Sequence, residues 1–156
     1  MTEAIHTTDS PPALLHAVLH HAATLHPEVV AYIDAGRRFS FADMEAASRR
    51  LASALLQRGL VRGDRIALLS HNQVEWLQLF FAATRIGVAV VALSPRYREA
   101  EIAFMLDDSQ SKAVFATREI DGFDFQAMLE GLIPALPALR EVLTIDGEVF
   151  AAMAAS

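Results

Sequence analysis

The sequence predicts an α/β domain with a mostly parallel sheet and crossover helices on both of its faces. Three observations carry this expectation. The stretch Arg65 to Pro95, RIALLSHNQVEWLQLFFAATRIGVAVVALSP, reads as strand, helix, strand. Its two strand candidates, Ile66–Leu69 and Val88–Leu93, are apolar at nearly every position, as expected of parallel strands buried on both faces. The same alternation of short apolar runs and helical periodicity continues to both sides of this unit, which is the pattern of a parallel sheet.

Taken in order, residues 1–11 are polar and expected to fray, and residues 12–156 form a single domain. Ser10-Pro11-Pro12 marks a helix start, because proline is tolerated in the first turn. That helix runs to Leu25 and ends before Pro27. Val29–Ile33, the turn Asp34-Ala35-Gly36-Arg37 and Arg38–Ser40 form a small β-hairpin near residues 29–40. Ser40 then caps a long helix, with Asp43 as its capping-box partner and Phe39 and Met44 as the hydrophobic staple. Met44, Ala47, Leu51, Ala54 and Leu55 share one face, while Arg49, Arg50, Gln57 and Arg58 keep the other in water.

Gly59 stops this helix, and Gly63-Asp64 turns the chain into the 65–95 unit. Within that unit Asn72 is expected to cap the helix, with Glu75 three residues on, and Gly87 to supply a left-handed C-terminus. Trp76, Leu77, Leu79, Phe80, Phe81, Ala83 and Ile86 cover it almost all round, so burial is expected. The crossover it makes is right-handed. A third helix spans about Arg98 to Asp108, a strand Ala113–Ala116, a fourth helix Phe123–Ile133 stopped by Pro134, and a last strand Glu141–Ile145. The tail beyond Gly147 is assigned no element.

Composition excludes several classes of function. The 156-residue chain is 53% apolar, which is inconsistent with disorder, and a chain this long buries roughly 68–70% of its unfolded surface. A net charge of -6 argues against nucleic-acid binding, which needs clustered Lys and Arg. There is no cysteine, so disulfides, thiolate catalysis and cysteine metal sites are ruled out. The amino terminus lacks a basic segment followed by an apolar core, and Leu77–Leu93 is broken by Gln78, Arg85 and Gly87. No signal peptide and no transmembrane segment are expected, and the default location is cytoplasmic.

No catalytic, cofactor-binding or metal-binding residue is assigned from the chemistry. Ser70-His71-Asn72, between strand and helix, contains no glycine, so a dinucleotide fingerprint is absent, and no Gly-rich phosphate loop ending in Lys-Ser or Lys-Thr occurs. His16 and His20 stand four apart with His21 and His26 nearby, but without a third ligand at helical spacing they read as surface histidines. His71 has the better address, at the carboxyl end of a parallel strand. It has no partner nucleophile. Glu99, Glu101, Asp107 and Asp108 read as the solvated side of a helix.

Phe39-Ser40-Phe41-Ala42-Asp43-Met44 resembles the first core motif of the adenylate-forming enzymes. Gly59 to Ala67 resembles the segment that follows it. Asn72, Glu75, Arg85-Ile86-Gly87 and Ser94-Pro95-Arg96-Tyr97 resemble the second core motif and the loop beyond, and Glu101-Ile102 through Asp108-Ser109 the next helix. The resemblance covers about Ala13 to Ile145. Ala92 stands where a proline is common and Ser94 where an asparagine is, both structural departures. The tail from Asp124 to Met128 and from Leu139 to Val142 is most similar to fatty-acid and related acyl-CoA synthetases.

The resemblance implies an N-terminal piece of an AMP-forming acid–CoA ligase some three times longer. Such an enzyme uses ATP, Mg²⁺ and coenzyme A to turn a carboxylic (fatty) acid into an acyl-adenylate and then an acyl-CoA. The phosphate loop, adenine site, acyl pocket and C-terminal lid follow this region in the family, so no cofactor is expected in this fragment, which is expected to be inactive alone. Its implied partners are the remainder of the synthetase chain and, through an unpaired sheet edge and an uncovered apolar face, copies of itself in a homo-oligomer. The alternative is a non-catalytic α/β interaction module that kept the scaffold.

Overall fold

The computed structural model describes residues 14–155. The expected fraying of 1–11 and the expected helix start at Pro12 lie outside the described residues. The elements are α1 (Leu15–Leu25), β1 (Val30–Asp34), β2 (Arg37–Ser40), α2 (Phe41–Gln57), β3 (Arg65–Leu69), α3 (Val74–Arg85), β4 (Ala89–Leu93), α4 (Glu99–Ser109), β5 (Ala113–Ala116), β6 (Glu119–Ile120), β7 (Phe123–Asp124), α5 (Phe125–Leu132), β8 (Glu141–Thr144) and α6 (Glu148–Ala155). A 3₁₀ turn, Ile133–Ala135, carries Pro134.

Four strands form one parallel sheet in the order β4-β3-β5-β8, with Ile66 beside both Val90 and Ala113, and Ala113 beside Glu141. Side chains alternate across it, as strand geometry requires. Ile66, Leu68, Ala113, Phe115 and Leu143 face a core shared with α2, α3 and α6. Ala67, Leu69, Val114 and Ala116 face a second core shared with α4 and α5. The helices therefore divide between the two faces, and β3 and β5 are the fully enclosed centre. A smaller cluster of Leu19, Met44 and Val74 seats α1 and the β1–β2 hairpin on α2 and α3.

Local chemistry explains most element ends. The hairpin turns through Ala35 (φ 47°) and Gly36 (φ 80°), the two positive φ values of a type I′ turn. The capping box is present in full: Ser40 Oγ accepts from Asp43 N at 3.1 Å, and Asp43 Oδ2 accepts from Ser40 N at 2.8 Å. At the end of α3, Gly87 (φ 74°) lets Val88 N reach Ala83 O at 2.9 Å, closing a Schellman motif.

Several expectations are corrected. The cap of α3 is not Asn72: the helix starts one residue later, Gln73 gives no side-chain cap, and Asp34 Oδ2 of the hairpin accepts from Val74 N at 3.3 Å. Glu75 turns instead toward Arg37 NH2, 3.4 Å away. The strand β4 is an edge, with Ala89 and Ala92 exposed, because among the described residues no strand pairs beyond it. Trp76, Phe80 and Phe81 are half-buried for a related reason: α3 covers the sheet near that edge, and Trp76 and Phe80 stack on each other at 5.6 Å.

Two elements were missed. Asp121 (φ 52°) and Gly122 (φ 77°) make a second type I′ hairpin, β6–β7, where a helix start was expected. Asp124 then caps the shortened α5, its Oδ1 accepting from Ala127 N at 2.8 Å. The tail forms α6, whose Phe150 and Met153, three apart, enter the core beneath α2.

Candidate functional site

In an open parallel sheet, ligands favour the crevice outside the carboxyl ends of the strands, where the strand order reverses. Here the reversal falls between β3 and β5, since α3 and α5 leave them for opposite faces. The polar groups at this edge largely satisfy one another. Ser70 Oγ donates to the His71 carbonyl at 2.8 Å, Thr117 N donates to Leu69 O at 2.9 Å, and Gln73 Nε2 donates to Thr117 Oγ1 at 3.4 Å. The Arg118 N–H donates to Asp146 Oδ1 at 3.3 Å. His71 is exposed, and none of the hydrogen bonds or ion pairs of this edge reaches its ring. Its address is the expected one; a nucleophile–base pair is not assembled around it.

The histidines of α1 do not converge on a metal. His20 Nδ1 lies 3.1 Å from Glu45 Oε1. Among the described residues no group of three or more His, Asp or Glu side chains could hold a metal ion. Glu101 of the acidic α4 set accepts from Arg98 N at 3.1 Å, completing a cap, while Glu99, Asp107 and Asp108 remain exposed.

The strongest electrostatic constellation was invisible in the sequence. Glu45 is buried between α2 and α3, where it takes Arg49 Nε at 2.7 Å and Arg85 NH2 at 2.5 Å. Burial pushes its carboxyl up, but the hydrogen bond from Arg49 and the charge of Arg85 outweigh that and hold it below the ordinary glutamate range. Arg85 also donates to Ser48 Oγ at 3.1 Å. With His20 of α1, which also meets Glu45, these groups clasp three helices together. At the amino edge of the sheet, Arg58, Lys112, Arg140 and Glu141 line a cleft of about 250 Å³, but two of its cations are spent: Arg58 pairs with Glu141 at 2.5 Å and Lys112 with Asp64 at 2.6 Å.

The described residues therefore build a sheet whose carboxyl-edge polar groups largely bond one another. A model of the AMP-binding enzyme family matches residues 19–155. Among curated proteins, the long-chain-fatty-acid–CoA ligase FadD13 of Mycobacterium tuberculosis is 37% identical over 99 residues, which is 62% of this chain and 20% of that protein. The pyochelin synthase PchD of Pseudomonas aeruginosa is 36% identical over 134 residues, 86% of this chain and 24% of that protein. The solved N-terminal domain of FACL13 from Mycobacterium tuberculosis superposes with a TM-score of 0.78 at 28% identity, covering 93% of this chain and 36% of that one. The chain thus spans only about 20–24% of the length of these two curated relatives. It belongs to the AMP-binding enzyme family, and it matches part of the N-terminal domain of that family's acyl-CoA ligases.

Proposed function

We propose that this chain serves as the N-terminal part of an ATP-dependent, AMP-forming acid–CoA ligase, and that residues 1–156 alone do not catalyse the reaction. The observation that supports the reading is the agreement of the β4-β3-β5-β8 sheet and its helices with the N-terminal domain of FACL13, over 93% of this chain but 36% of the other. The family implies ATP, Mg²⁺ and coenzyme A. The residues described here do not fit Mg²⁺–ATP: the turn after β3 offers Ser70, His71 and Asn72 rather than glycines whose backbone N–H groups could approach phosphates, and the nearby carboxylate Asp146 already accepts from Arg118. No adenylation step is assigned to them. Their part is to hold a rigid sheet against which the remaining polypeptide builds its site.

The reading is tested by the DNA that follows codon 156. A continuing frame with a Ser/Thr/Gly-rich loop containing a lysine supports it. A stop codon there, with no synthetase frame beyond, favours the non-catalytic interaction module instead.

A further inference from the structure

A second cleft, of about 380 Å³, opens between β2, the first half of α2 and α3. Its most unusual member is Gln78. Only 8% of this residue is exposed, yet its side-chain amide has no hydrogen-bond partner among the described residues. A mostly buried primary amide normally bonds protein, water or a ligand. The fully enclosed, unpartnered side-chain atom among the described residues is Arg85 Nε, so the Gln78 amide is not sealed in protein; it lines the cleft.

Two guanidinium groups share that cleft. Arg38 is exposed, and its guanidinium has no ion-pair or hydrogen-bond partner among the described residues. Arg50 spends its Nε on the Ala154 carbonyl at 2.5 Å, which fixes the side chain and leaves its terminal nitrogens unpaired. Asp43 also lines the cleft, but its Oδ2 is engaged by Ser40 N at 2.8 Å and Ser40 Oγ at 2.9 Å. Two positive charges against one negative leave a single uncompensated positive charge. Phe39, Ala46 and Ala47 form an apolar wall beside it.

We infer that this cleft is a binding site for a monocarboxylate with an apolar body, its carboxylate held by Arg38, Arg50 and the Gln78 amide and its body lying on Phe39, Ala46 and Ala47. Guanidinium forks match a planar carboxylate through paired N–H donors, and the charge balance suits one negative charge rather than two. The volume exceeds what a two-carbon acid fills, so the apolar wall contributes affinity only to longer acids. The cleft is lined by residues of β2, α2 and α3 rather than by the strand-end groups Ser70, Thr117 and Arg118, and its occupancy is independent of the adenylation chemistry proposed above.

The test is a ¹H–¹⁵N NMR titration of the chain with hexanoate, acetate and inorganic phosphate. Hexanoate is expected to shift the Gln78 side-chain amide and the backbone amides of Arg38, Phe39 and Ala47 saturably at millimolar concentration. Acetate is expected to bind at least tenfold more weakly, and phosphate no more tightly than acetate. Arg38→Met, which breaks no hydrogen bond or ion pair, should weaken hexanoate binding at least fivefold. Gln78→Met should do the same while leaving the melting temperature unchanged or higher, since no hydrogen bond is lost. Absence of a saturable shift at these residues, unchanged binding by Arg38→Met, or phosphate binding as tight as hexanoate overturns the inference. A large fall in melting temperature for Gln78→Met with hexanoate binding intact overturns it too, by making the amide structural.

Discussion

Arg85, in the last turn of α3, donates through NH2 to Glu45 Oε2 of α2 at 2.5 Å, with only 17% and 11% of the two side chains exposed. This ion pair joins two of the three helices that cover one face of the sheet. Breaking a buried pair leaves a charge without a partner, which costs more than the pair contributes when intact. Glu45→Gln is therefore expected to lower the unfolding free energy by roughly 3 kcal/mol, read as a shift of the urea midpoint. Glu45→Gln combined with Arg85→Met should recover part of that loss, because the stranded cation is then gone.

Acid should act through the same groups. Burial raises the Glu45 carboxyl, but Arg49 and Arg85 more than offset this and hold it below its ordinary 4.5; the hydrogen bond from Lys112 and then the Val61 N–H hold Asp64 below its ordinary 3.8. A carboxylate with a depressed folded pKa stabilises fully above its unfolded pKa and ceases to do so as pH falls through the folded one. Stability should thus be flat with respect to these groups above about pH 5.5 and fall progressively below about pH 4.5. Glu45→Gln should flatten that acid limb in urea melts at stepped pH.

The cap of α3 comes from another element. Asp34→Ala removes the acceptor of Val74 N and the 2.8 Å pair with Arg37. A loss of about 1 kcal/mol is expected. Hydrogen exchange should quicken for the first-turn amides of α3 and for the β1–β2 hairpin, and not for β5.

Ser40→Ala tests the capping box. It should cost about 1 kcal/mol, and the Asp43 carboxyl, held low mainly by the Ser40 backbone N–H and then its hydroxyl, should titrate higher by side-chain ¹³C NMR.

Legibility in the sequence followed range. The four sheet strands, the crossover helices and the Ser40–Asp43 box rest on neighbours within a few residues, and pattern exposes them. The Asp34–Val74 cap spans 40 residues and the Arg85–Glu45 pair the same, so Asn72 looked like the better cap and Glu45 carried no sign of burial. The Asp121-Gly122 hairpin was legible and overlooked: Asp-Gly is a type I′ signal. Gln78 read only as a break in an apolar run, because its isolation from partners is a property of the packed helices. The edge position of β4 was hidden for a similar reason, since its Ala-Val-Val-Ala-Leu composition also suits an interior strand.

That edge bears on association. The strand β4 carries no charge, proline or bulge to blunt it, and its outer side is unpaired among the described residues. Self-association of the isolated chain through this edge is expected, with Val91→Lys shifting sedimentation velocity profiles toward monomer. A clean monomer at high concentration for the unaltered chain contradicts this.

The proposal that these residues are scaffold for chemistry carried by further polypeptide is tested most directly by ATP–pyrophosphate exchange. Purified chain, a fatty acid, ATP and Mg²⁺ are combined, and incorporation of labelled pyrophosphate into ATP is followed. The predicted result is a rate equal to that of the protein-free control. Exchange that saturates with ATP and requires the fatty acid would contradict it.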